Sequence, residues 1–289
     1  MEERIISNAG IRLRSDAQGP AAGAPVLLVM GAMNPAAAWP GSLCGGLADA
    51  GFRVLRYDHR DTGRSSQSQG DYTLDELVAD AAAVLDGWEA GPAHVVGLSM
   101  GGCIGQRLAM DSPARVRTLT LISTTPDHRP YMAATMGRDA SGYALPPAQE
   151  SFLRCLRSPA AAGRRKDPGG MLFEGWRACN GEGVPFDAAA TRAMVDRIMA
   201  VTDAPRAALR HAMAMSVSAP LMDRLGEIRV PTLVIHGRHD PCFPLPHGEA
   251  LAEGIAGARL LVLEEMGHMI REDLVPALLQ PMLAHLRTR

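Results

Sequence analysis

Val95-Val96-Gly97-Leu98-Ser99-Met100-Gly101-Gly102 is the stretch on which the reading of this chain turns. The apolar residues from Ala93 to Val96 predict a short buried strand. Cys103 to Met110, with apolar residues at Ile104, Leu108 and Ala109, has helical spacing. Between them lies Gly-x-Ser-x-Gly, a strand-to-helix turn so sharp that its serine is held in strained backbone geometry, with Gly97 and Gly101 leaving room for it. Such a turn exposes the Ser99 hydroxyl at the carboxyl edge of a sheet. It also aims the Met100 backbone N–H at the space in front of that hydroxyl, at the positive end of the helix. The pattern is that of a nucleophile elbow, and it predicts acyl-transfer chemistry at Ser99.

Outward from the elbow, strands and helices alternate. Arg4 to Arg14 reads as a hairpin around Asn8-Ala9-Gly10, and Val26 to Met30 as a buried strand ending at Gly31-Ala32-Met33-Asn34-Pro35. A helix from Trp39 to Ala50, a strand from Arg53 to Tyr57 and the polar turn Asp58 to Ser65 follow. Thr73 to Trp88 is an amphipathic helix, with Thr73 as N-cap and Glu76 as its capping-box partner. Val116 to Ile122 is another buried strand. From Thr124 to Ala219 the alternation stops, leaving helical pieces near Gln149–Leu156, Ala188–Met199 and Ala207–Met215. It resumes with Leu221–Ile228, the strand Val230 to His236, a short helix from Pro246, the strand Arg259 to Leu263 and a helix from Glu272 to Leu286. This order predicts an α/β fold with a mostly parallel central sheet and helices on both faces. Residues 1–123 and 220–289 form its core domain, and residues 124–219 a helical lid inserted before the last two strands, over the edge where such sheets bind ligands.

Composition narrows the function. The 289 residues are 47% hydrophobic, enough for a full core, and the net charge of −2 gives no reason to expect nucleic acid or an anionic membrane as partner. No apolar run approaches a membrane span, and the acidic start Met1-Glu2-Glu3-Arg4 lacks a signal-peptide apolar region. Five scattered cysteines without metal-ligand spacing fit a reduced, cytoplasmic protein. The sequence does not fix the oligomeric state, for which a monomer or weak dimer is the expectation.

An activated serine needs a base, and the base an orienting acid. Two late strands run into His236-Gly237-Arg238-His239-Asp240-Pro241 and Glu264-Glu265-Met266-Gly267-His268, placing Asp240 and His268 at the sheet edge that carries Ser99. Asp127, after the preceding strand, is the reserve acid. His236, His239 and Asp240 could also be read as metal ligands by spacing, but no further ligand cluster accompanies them. Of the two backbone donors an oxyanion requires, Met100 supplies one and Ala32, after the earlier strand, the other. No metal or cofactor is expected. Cys103 and Cys242 read as small packing residues and Arg164-Arg165-Lys166 as a solvated loop. The lid methionines Met132, Met136, Met171, Met194, Met199, Met213 and Met215 are either core filler or an adaptable pocket lining.

Together Val29-Met30-Gly31, Arg56 to Ser65, His94 to Gly101, Val230 to Ile235 with Gly237 and His239-Asp240-Pro241, and Met266-Gly267-His268 resemble the α/β-hydrolase-fold serine esterases, most closely the aclacinomycin methylesterase group. The resemblance covers most of the core domain, but in the lid only Gly183-Val184-Pro185-Phe186-Asp187. It implies a triad of Ser99, Asp240 and His268, oxyanion donors at Ala32 and Met100, and hydrolysis of a small-molecule carboxylic ester through an acyl-enzyme, with methyl esters of bulky, anthracycline-like polyketide acids as one substrate class. Thioester, lactone or carbon–carbon cleavage by the same triad, and a non-catalytic ligand receptor on the same fold, are the alternatives. Met33, Phe152, Phe173, Trp176 and Phe186 are the candidate substrate-binding residues, in a chain with only 4% aromatics.

Overall fold

The computed structural model describes residues 1–158 and 167–288, so the Arg164-Arg165-Lys166 cluster lies outside the described residues. The strands are β1 (Glu2–Asn8), β2 (Ile11–Gln18), β3 (Pro25–Val29), β4 (Arg53–Tyr57), β5 (Ala93–Leu98), β6 (Val116–Ile122), β7 (Thr232–Gly237) and β8 (Arg259–Leu263). They form one eight-stranded sheet in the order β1-β2-β4-β3-β5-β6-β7-β8. The β1–β2 hairpin joins antiparallel to β4, and every other pairing is parallel. After β3 the chain steps to β4 on one side, then returns to β5 on the other. That reversal opens a crevice between the carboxyl ends of β3 and β5, where ligands bind in sheets of this kind.

Side chains alternate across the sheet, so each strand feeds two cores. Leu27 and Val29 of β3 pack on one face with α2 (Leu74–Gly87) and α3 (Met100–Asp111). Val26 and Leu28 pack on the other with α1 (Gly41–Asp49) and the last helix, Val275–Leu286. The capping box at Thr73 forms as the sequence predicts, with Asp75 N–H donating to the Thr73 hydroxyl at 3.1 Å and Thr73 N–H to Glu76 Oε2 at 2.7 Å. A cap of this kind contributes about 1 kcal/mol. The first helix begins at Gly41 rather than Trp39, because Pro40 at its N-cap restricts the residue before it.

Between β6 and β7 the chain forms α4 (Arg129–Thr135), α5 (Glu150–Arg157), α6 (Pro168–Cys179), α7 (Ala188–Met199) and α8 (Arg210–Val217). The ends of this insertion meet where Leu221 N–H donates to Pro126 O at 2.7 Å. Helices α4 and α6 were not legible in the sequence. The sequence of α6 is Pro-Gly-Gly-Met-Leu-Phe-Glu-Gly-Trp-Arg-Ala-Cys, whose glycines oppose helix formation, and burial of Trp176 and Leu172 against the sheet's second core overrides them. The short helix α9 (Pro246–Gly254) and α10 (Val275–Leu286) complete the layers. Among the described residues no helix is long and apolar enough to cross a membrane.

Candidate active site

Ser99 stands between β5 and α3 with φ +54°, in the left-handed region. Two glycines make the turn possible. A Cβ on Gly97 would lie 2.3 Å from Gly101 O, and one on Gly101 2.0 Å from Val29 O. Ser99 N–H donates to Ile122 O of β6 at 3.0 Å, which fixes the turn to the neighbouring strand. The Ser99 hydroxyl lies 3.0 Å from His268 Nε2. His268 Nδ1 donates to Asp240 Oδ2 at 2.8 Å and Oδ1 at 3.0 Å.

The acid and the base are held from outside. Asp240 is fully buried, and its Oδ1 accepts from Cys242 N–H at 2.8 Å and Phe243 N–H at 2.9 Å. His268 N–H donates to Cys179 O of α6 at 2.8 Å. Burial would raise the Asp240 carboxyl, but the charge and hydrogen bond of His268, with His236 and Phe243 N–H, outweigh it and hold the group below its usual value. Burial would likewise lower His268, and the Asp240 carboxylate outweighs it, leaving the imidazole above its ordinary value. The pair thus favours an ionised acid beside a base that readily accepts a proton.

Asp127, the reserve acid, is engaged elsewhere. Arg129 grips it through Nε at 2.8 Å and Nη2 at 2.6 Å, and its own N–H adds a third bond at 3.0 Å. The metal reading of His236, His239 and Asp240 is not supported by position. His236 Nε2 donates to Phe243 O at 2.7 Å, and the donor groups that gather among the described residues are Asp240, Cys242 and His268, without His239.

Met100 opens α3, so its N–H has no intrahelical acceptor and lies at the positive end of the helix. Ala32 lies opposite on the loop after β3, where a Cβ on Gly31 would come within 3.2 Å of Ser99 Cβ. That loop is held at every step. Met30 O accepts from His59 Nε2 at 2.9 Å, Ala32 O from Asn34 Nδ2 at 3.0 Å, and Ala36 N–H donates to Asp58 Oδ1 at 2.8 Å. The Asp58–Ser65 turn is therefore a scaffold for the Ala32 loop.

Two further supports come from the insertion. Trp176 Nε1 donates to Asn34 Oδ1 at 3.3 Å, and Met33 N–H donates to His211 Nδ1 of α8 at 3.0 Å. Since Nδ1 accepts, the ring proton sits on Nε2 and is donated to Arg60 O at 3.0 Å. Burial, aided by the neighbouring His59, presses His211 down to about 3, so it stays neutral. Met33 itself has φ +65°, a conformation this clamp holds in place. His211 was not found from the sequence, because a histidine within Leu209-Arg210-His211-Ala212 carries no motif and takes its role only from the closure of α8 on two loops.

A cavity of about 340 Å³ opens in front of Ser99. Its walls are overwhelmingly apolar and include Ala32, Met33, Met100, Phe152 and Trp176, with Met132, Met171, Met199 and Met215 from the insertion. Phe173 and Phe186 are not among them. Their rings pack edge to face at 5.7 Å, with the Arg192 guanidinium 4.4 Å over Phe173, so they tie α6 to α7 away from the cavity. Met136 and Met213 are exposed, and Met194 packs on the second core. Cys103 and Cys242 are buried at the cavity wall. Burial pushes the Cys103 thiol up to about 11, which makes it a poor nucleophile.

Comparison with known proteins agrees with this fold. A family model described as the alpha/beta hydrolase fold matches residues 24–166. The chain is 38% identical, over 99% of both chains, to the rhodomycin D methylesterase DnrP of Streptomyces peucetius, and 37% identical over the same shares to DauP of Streptomyces sp. strain C5, a protein of the same description. Among solved structures, a hydrolase from Pseudomonas aeruginosa PA01 aligns with TM-score 0.74 and 28% identity, over 99% of this chain and 98% of that one.

Proposed function

This chain belongs to the α/β-hydrolase family and is a carboxylic ester hydrolase, and on that premise we propose that Ser99, His268 and Asp240 carry its chemistry, with Ala32 and Met100 as oxyanion donors. His268 Nε2 takes the hydroxyl proton as Ser99 Oγ attacks the ester carbonyl. The developing oxyanion is received by the two backbone N–H groups, and His268 returns the proton to the departing alkoxide. Water then enters, His268 activates it against the acyl-enzyme, and the acid leaves. Asp240 holds the imidazole in the tautomer that presents Nε2 as base, and steadies the imidazolium. The observation that carries this reading is the continuous chain of hydrogen bonds from Ser99 through His268 to the buried Asp240, at the floor of the apolar cavity.

The acid part of the ester is proposed to be large, flat and apolar, and the alcohol small, with methyl esters of polycyclic polyketide acids as the class. Two supports stand behind this. The named relatives are methylesterases of rhodomycin D, and the methionine-rich walls can close on a flat ring system. Burying on the order of 300 Å² of such a ring contributes roughly 7 kcal/mol before the costs of association. Trp176 and Phe152 supply the rigid part of that wall, and Met33 stands at the mouth. The segment 124–219 is proposed to act as the lid that sets this preference. A hydrolysis panel that crosses acyl size with alcohol size tests it. The expected result is the highest kcat/KM for methyl esters of polycyclic acids. Equal rates across acyl sizes would overturn the substrate assignment while leaving the triad standing.

A further inference from the structure

We propose that Cys179 and Cys242 form an inhibitory binding site for a thiophilic divalent cation such as Zn²⁺ or Cd²⁺, completed by the carboxylate of Asp240 or the imidazole of His268. The two cysteines are 63 positions apart, one closing α6 and the other in the loop after β7, and both thiols are free. Their sulfurs lie 3.6 Å from each other. A tetrahedral ion with metal–sulfur bonds of about 2.3 Å bridges two sulfurs about 3.8 Å apart, so the pair needs little movement to chelate. The ligand atoms of Asp240, Cys242 and His268 all lie within 4.8 Å of one another, without Cys179, so the third donor reaches the ion from the Cys242 side and Cys179 joins through its 3.6 Å sulfur contact with Cys242. Cys179, Cys242 and His268 all line the active-site cavity, and the cavity is the entry path.

Binding converts two thiols to thiolates and releases two protons to solvent, with no change of oxidation state. Its effect on catalysis follows from the backbone. Cys179 O holds the main chain of His268, and Cys242 N–H holds the carboxylate of Asp240. An ion that gathers both sulfurs and one of these side chains therefore pulls the acid and the base out of line with Ser99. The inhibitory half of this inference rests on the triad proposed above, whereas the binding half does not.

The test uses the full chain, reduced and stripped with a chelator, titrated with Cd²⁺ alone in the absence of substrate. The expected result is a thiolate-to-cadmium charge-transfer band that saturates at one ion per chain with release of two protons. Cys179→Ser and Cys242→Ser each weaken binding by on the order of 100-fold or more, beyond what loss of an outer contact costs, while Cys155→Ser keeps the band. Zn²⁺ should then inhibit hydrolysis of a small acetate ester, and a chelator should restore the rate. Should a serine variant misfold, the alanine variant at the same position serves, with the rise in melting temperature on adding Zn²⁺ as second readout. A band that survives both cysteine substitutions, or no band at all, overturns the site. Loss of activity that a thiol reductant reverses and a chelator does not would mean disulfide formation instead. Binding without inhibition overturns the inhibitory half, and a protein that binds Cd²⁺ but hydrolyses no ester overturns the proposed reaction and not the cation site.

Discussion

A serine nucleophile is reactive only through the group that takes its proton, so the sharpest tests of the proposed triad lie on single side chains. Ser99→Ala should lower kcat by on the order of 10⁶ with the melting transition retained. A fluorophosphonate should label Ser99 in the parent protein and nothing in the variant. Asp240→Asn should cost roughly 10⁴ near neutrality by favouring the wrong imidazole tautomer. Asp127→Asn should do far less, since its partner is Arg129; the reverse order of effects would move the acid to the earlier strand. The pH dependence has a definite sign. His268, the proposed base, must be unprotonated to act and is held above its ordinary 6.5, so kcat/KM should rise with pH through a midpoint above that value. Removing the Asp240 charge takes away the main influence that opposes burial, and the midpoint should fall. A midpoint below 6.5 in the parent protein would contradict this pairing. At this scale the sequence was informative about placement at strand ends in a fixed order: the structure brings Ser99, His268 and Asp240 together as that order predicts. It was silent on His211 and on the Cys179–Cys242 contact, which exist only because distant segments close on one another.

The elements that matter most are the loop after β3 and the helices that grip it. His211→Ala would strand the Met33 N–H and the Arg60 carbonyl, at a cost of about 1–3 kcal/mol for each buried group left unpaired. The loop carrying Ala32 would loosen, and kcat for a small ester should fall by about 10- to 100-fold, less than outright loss of an oxyanion donor. KM and the pH midpoint should stay near those of the parent, and His211→Gln, with one acceptor and one donor, should recover part of the loss. A variant that merely melted earlier, with kcat intact, would reduce His211 to a stability role. Trp176→Ala and Phe173→Ala separate wall from strut. The first should raise KM for bulky esters more than for acetate, whereas the second should lower the melting temperature and treat all esters alike. Most strands were legible because their apolar runs are unambiguous, and β4, β6 and β8 have the bounds the pattern gives. Helix α6 was not, because its glycines speak against helix and its stability comes from Trp176 packing on the sheet.

On the scale of the whole molecule, the described residues of the insertion have little core of their own. Ala214 and Met215 belong to one face of the sheet, Trp176 and Ile198 to the other. The small cluster of Ala134, Ala148, Phe152 and Leu153 needs Cys242 from the loop after β7. Calorimetry should therefore show one cooperative transition, and the isolated 124–219 peptide none; two separate transitions would make the insertion a domain. The same cooperativity bears on the left-handed backbone at Ser99. A non-glycine residue there costs about 1–3 kcal/mol, whereas glycine would give up only about 0.5–1 kcal/mol through the extra freedom of its unfolded chain. Ser99→Gly should then melt higher than Ser99→Ala, and higher than the parent. A laboratory evolution experiment that rewarded heat tolerance alone would drive position 99 to glycine, trading away the nucleophile for a more durable but inert protein.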